Sequence, residues 1–64
     1  MMPPFEMRCL RWVSLGKTNM EIALLEGKSV AEIESSLERA RTLLDAESID
    51  EAIVKANAPQ SWQR

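Results

Sequence analysis

Three times along the chain a hydroxyl residue is followed, three positions later, by a glutamate at the head of a periodic apolar run: Thr18/Glu21, Ser29/Glu32 and Ser48/Glu51. At that spacing hydroxyl and carboxylate satisfy backbone N–H groups that a helix start leaves without partners, so each pair predicts a helix entry. A fourth match, Ser35/Glu38, falls inside an unbroken apolar pattern and is read as coincidental. Prolines stand only at Pro3, Pro4 and Pro59, leaving the intervening residues free to be helical. Tyrosine is absent, β-branched and polar residues never alternate over a useful length, and no Asn-Gly or Asp-Gly turn occurs. The pattern predicts an all-α chain of four helices.

Their limits follow from punctuation. The first helix begins after Pro4, carries Phe5, Cys9, Leu10 and Val13 on one side, and ends at Gly16. A short second helix, about Asn19 to Leu25, turns Ile22 and Ala23 inward and closes at Gly27. The third, about Val30 to Leu44, has the stripe Val30, Ile33, Leu37, Ala40, Leu44, spaced as one face of a helix. A fourth, about Ile49 to Asn57, turns Ile49, Ala52, Ile53 and Ala56 inward. Residues 1–4 are an expected N-terminal arm, residues 5–57 the domain and residues 58–64 a flexible tail. Trp62 is unusual in such a tail unless it packs on a partner or folds back.

A chain of 64 residues forms a thin core, and small domains often lean on a disulfide, a metal or a partner. Cys9 is the single cysteine and histidine is absent, so an intramolecular disulfide is impossible and no zinc spacing exists. Cys9 is read as a small buried hydrophobe, and a lone thiol without a secretory pattern points to a cytoplasmic setting. The longest apolar stretch, Ile22 to Leu25, is far below the ~20 residues that span a bilayer. The Met-Met-Pro-Pro-Phe start has no signal-peptide pattern. An enzyme is not expected: carboxylates lie on exposed helix faces, without histidine, a glycine-rich phosphate loop or a core large enough for a pocket. No cofactor, metal or small-molecule ligand is implied.

A short helix, a glycine turn and a longer helix form a helix-turn-helix, the unit whose second helix can lie in a DNA groove. Ala23 is small where the two helices meet, Gly27 permits the turn, and Ile33 plugs the angle from the second helix. From Phe5 to Ala56 the chain resembles, without a gap, the LuxR/GerE-type DNA-binding domain of bacterial quorum-sensing and response regulators. The resemblance rests on Glu6, the Cys-Leu-Arg-Trp-Val run at 9–13, Gly-Lys-Thr-Asn-Met-Glu-Ile-Ala at 16–23, then Gly27, Ser29, Ile33, Leu37 and Leu44, and Glu51-Ala52-Ile53-Val54-Lys55-Ala56.

The resemblance implies that Lys17, Thr18 and Asn19 contact phosphate. It places Ser29, Val30, Ala31, Glu32, Glu34 and Ser35 toward the bases, Arg39 and Arg41 near flanking backbone, and Ile49, Ile53 and Ala56 in a two-fold dimer face. Four departures bear on this. Glu32-Ile33-Glu34 stands where that family has Thr-Val-Lys, Glu26 and Lys28 replace apolar neighbours of the turn glycine, Asp45-Ala46 replaces Gly-Val, and Ser48-Ile49-Asp50 replaces Asn-Arg-Thr. The polar pair beside Gly27 is expected to loosen the turn unless Leu24 or Leu25 rotates inward.

Net charge is -2, eight Lys/Arg against ten Asp/Glu, whereas nucleic-acid binders usually carry a basic excess. Ser29 to Glu38 contains three glutamates and no base. Two functions follow. One is a transcription-regulatory domain that binds double-stranded DNA as a dimer. The other is an interaction module that pairs with a full-length LuxR-type regulator through Ile49 and Ile53, or covers its basic reading helix with Glu32, Glu34 and Glu38.

Overall fold

The computed structural model describes residues 4–57 as four helices: α1 (Pro4–Ser14), α2 (Asn19–Glu26), α3 (Val30–Leu43) and α4 (Ile49–Asn57). No strand occurs among the described residues, and no helix there is long and apolar enough to cross a membrane. The tail expectations, including that for Trp62, lie outside the described residues. Pro4 is the first residue of α1, one position earlier than the expected start after that proline.

Helices α1 and α3 form the middle of the bundle. Each packs on the other and on both α2 and α4, while α2 and α4 do not touch. The core consists of Cys9 and Leu10 from α1, Ile22 and Ala23 from α2, Ile33, Leu37 and Ala40 from α3, Ala46 from the last turn, and Ala52 from α4. Phe5, Trp12, Val13, Leu44, Ile49, Ile53 and Ala56 pack around it, half-buried. Burying a side chain such as Leu10 or Ile33 contributes about 1.5–3 kcal/mol, and this core has few of that size. Val30, predicted to start the inward stripe of α3, is exposed at the helix entry, and Ser36 takes an inward place instead. The Ser36 hydroxyl lies beside the Cys9 thiol, whose pKa burial pushes up.

Three helix ends close in one way: a residue in left-handed conformation is followed by an N–H that reaches back to a carbonyl in the last turn. Gly16 (φ 88°), Gly27 (φ 68°) and Asp45 (φ 54°) take that conformation. The returning N–H groups are Lys17 to the Trp12 carbonyl (3.1 Å), Lys28 to Ala23 (2.9 Å) and Ala46 to Arg41 (3.0 Å). Asp45 does this without being glycine. Its carbonyl accepts from Lys55 Nζ at 2.7 Å, and Arg41 Nη1 donates to the Ala46 carbonyl at 2.8 Å, so two cations brace the strained turn.

The turn after α2 is held, but not by an inward leucine. Leu24 is 80% exposed and Leu25 54%. Glu26 itself faces α1: it accepts from Trp12 Nε1 at 2.8 Å and from Arg8 Nη2 and Nε at 3.0 and 3.2 Å. Arg8, then Trp12, hold its carboxyl below the usual carboxylate range. Phe5 lies under two cations, with Arg8 Cζ 5.6 Å and Lys28 Nζ 5.7 Å from its ring centre. A polar tie thus replaces the apolar flank expected around Gly27.

Candidate nucleic-acid interface

The candidate residues lie in the loop before α2 and along the opening turns of α3. At its first edge Lys17 and Thr18 are exposed and Asn19 is half-buried. Thr18 caps α2: its Oγ1 accepts from Glu21 N–H at 3.1 Å, and its own N–H donates to Glu21 Oε1 at 2.8 Å. Ser29 and Glu32 repeat that arrangement at the start of α3, at 3.1 and 2.8 Å. In both glutamates the backbone N–H bond is the main cause that lowers the pKa, so each carboxylate stays ionised. The consequence is electrostatic. A helix start attracts phosphate through its unpaired N–H groups and positive dipole end, and here each start already holds an anion of its own.

Ser29, Val30, Ala31, Glu34 and Ser35 are all exposed along the first two turns of α3, opposite the face that buries Ile33 and Leu37. The outward surface of α3 is therefore available and acidic, with Glu32, Glu34 and Glu38 exposed. The two arginines farther along are engaged within the molecule. Arg39 Nη1 donates to Glu6 Oε2 at 2.6 Å; the Glu6 side chain is only 5% exposed, that of Arg39 59%. Arg41 pairs with Glu38, lowering the glutamate's pKa and raising its own, and also bonds the Ala46 carbonyl. Of the three candidate cations, Lys17 alone has neither ion pair nor side-chain hydrogen bond among the described residues. Most of the expected residues are thus open to solvent, and the outward side of α3 carries no cationic excess.

Ile49, Ile53 and Ala56 are half-buried against the core, and the outward apolar residue of α4 is Val54. Between α1 and α4 lies a cleft of about 20 Å³ lined by Met7, Leu10, Arg11, Ile53 and Ala56, room for little more than one water. Among the described residues no cluster of three or more metal-ligating side chains occurs.

Sequence reasoning missed the Glu6–Arg39 and Glu26–Arg8–Trp12 ties. For the second a signal existed: a half-buried indole N–H needs an acceptor, and Glu26 was the polar residue standing where an apolar one was expected. No family model matches this chain, and no solved structure matches it at a significant level.

Proposed function

We propose that this chain is a transcription-regulatory helix-turn-helix domain of LuxR/GerE character that sets the opening turns of α3 against duplex DNA. The observation that carries the reading is the joint of α2 and α3. Ala23 and Ile33 are both buried beside it, Gly27 turns the chain in left-handed conformation, and Ser29, Val30, Ala31, Glu32, Glu34 and Ser35 are left open. In this reading Lys17 and Thr18, exposed before α2, and Asn19, half-buried at its start, supply the phosphate contacts. The charges set the strength. With Lys17 unpaired among the described residues and Arg39 and Arg41 partly neutralised, the number of phosphates neutralised is about one to three, and log K falls with log salt at a slope of roughly -1 to -3. Selectivity then comes from Glu34 and Ser35, since a carboxylate accepts from cytosine N4.

Fluorescence anisotropy with random and cytosine-rich duplexes across a salt series tests this. Weak binding with that shallow slope supports the reading, as does a Glu34→Lys variant that binds more tightly with less preference among sequences. No binding at the lowest salt overturns it. A second reading is favoured by Glu32, Glu34 and Glu38 lying outward together: an interaction module that covers the basic reading helix of a LuxR-type regulator, or pairs with that regulator through Ile49, Ile53 and Ala56. Retention on an immobilised LuxR-type DNA-binding domain, lost in Glu34→Lys, distinguishes it.

A further inference from the structure

The least satisfied surface of the molecule is the outer side of α2. This helix buries Ile22 and Ala23 and turns Met20, Leu24 and Leu25 to solvent, with Leu15 exposed just before it. Four large apolar residues more than half exposed within eleven positions are unusual for a small domain, where such patches commonly mark contact sites. Among the described residues nothing covers them, and α4 makes no contact with α2. The patch includes an open depression of about 230 Å³ whose lining is Lys17, Glu21, Leu24 and Leu25.

We propose that this face binds a second copy of the same chain about a two-fold axis. The argument is the composition of the depression: two leucines flanked by one cation and one carboxylate. In a two-fold contact each residue meets its complement in the other copy and the reverse. Antiparallel α2 helices bring Lys17 of one copy to Glu21 of its partner, twice, around paired leucines. Among the described residues Lys17 makes no ion pair, and Glu21 uses only Oε1 in its cap, so Oε2 is open to the cation opposite. An anionic polymer gains little from leucines, and an anionic membrane little from a single lysine beside a glutamate. A self-complementary, neutral patch fits a copy of itself.

Size sets the affinity. Stable interfaces bury about 800 Å² per partner, and one helix of eight residues offers less, so the dimer is weak and concentration-dependent. It also covers Lys17, Thr18 and Asn19, so self-association and phosphate contact compete. Only that competition rests on the DNA-binding reading; the self-association stands without it.

Sedimentation velocity of the full chain, from micromolar to millimolar concentration, is the test. A reversible monomer–dimer equilibrium is expected. Leu24→Glu, at a position open enough to leave the fold intact, weakens it at least about tenfold, which corresponds to 1.4 kcal/mol. Lys17→Glu and Glu21→Lys each weaken self-association, because each variant meets its own like charges. Mixed in equal amounts the two recover it as a heterodimer, an outcome that damage to folding does not produce. A monomer at every concentration overturns the proposal. So does a dimer indifferent to Leu24→Glu and broken by Val54→Glu, which places the contact on α4.

Discussion

Helices α2 and α3 begin with the same device, a hydroxyl cap and a glutamate three residues on, yet they meet solvent in opposite ways. Helix α3 hides Ile33, Leu37 and Ala40 along one face and presents Glu32, Glu34 and Glu38; α2 hides two residues and presents Met20, Leu24 and Leu25. Length explains part of this. With 14 residues α3 repeats its stripe often enough for one face to be apolar, whereas the eight of α2 make about two turns with apolar residues on both the inner and the outer side. A cap therefore fixes where a helix starts but not which side it turns inward.

The sharpest way to break that comparison is to truncate one apolar residue from each helix. Ile33→Ala, in a fully buried site, is expected to cost about 2–5 kcal/mol, enough to unfold most of a domain this small. Leu24→Ala is expected to change monomer stability by no more than about 0.5 kcal/mol. Urea denaturation followed by circular dichroism gives both values. Equal costs would mean that Leu24 is packed and that the two helices do not differ.

Glu26 tests what fixes the orientation of α2. Glu26→Ala leaves the indole N–H of Trp12 and the guanidinium of Arg8 without their acceptor and is expected to cost about 1–3 kcal/mol, with a shift in Trp12 emission. Acid acts on the same tie. Because the Glu26 pKa is lowered in the folded state, its contribution is complete above the ordinary carboxylate pKa of about 4.3 and is lost as pH falls through the lowered value. Glu21, Glu32 and Glu38 shift the same way, so stability declines below about pH 4. In Glu26→Ala that decline is shallower. An unchanged acid profile would remove Glu26 from the account.

Much of this was legible beforehand. Caps and glycines placed four helices to within a residue or two, and Ala23, Gly27 and Ile33 stand where the spacing put them. Ser48/Glu51 also forms, but there Glu51 accepts from the Glu47 N–H, one residue early. What could not be read locally depends on distant partners. Glu6 and Arg39 are 33 positions apart, and nothing near either announces a buried carboxylate with a half-exposed arginine. Likewise, two inward turns of α2 are too few for periodicity to decide between Leu24 and Glu26 as the residue that faces α1.

A smaller effect than that of Glu26 is expected at the far end of α3, where Asp45 takes a conformation that Gly16 and Gly27 adopt without a side chain. Left-handed backbone costs most residues about 1–2 kcal/mol and aspartate less, so Asp45→Gly is expected to gain up to about 1 kcal/mol. A loss instead would mean that the bracing by Lys55 and Arg41 needs the aspartate in place.

The position of Cys9 has a further consequence. Its sulfur is fully enclosed by the middle of the bundle, and burial keeps it in the protonated, unreactive form. No other thiol competes for a reagent. Each encounter with a disulfide probe therefore waits for α1 to lift from α3, and the pace of modification becomes a clock for how often this domain comes apart.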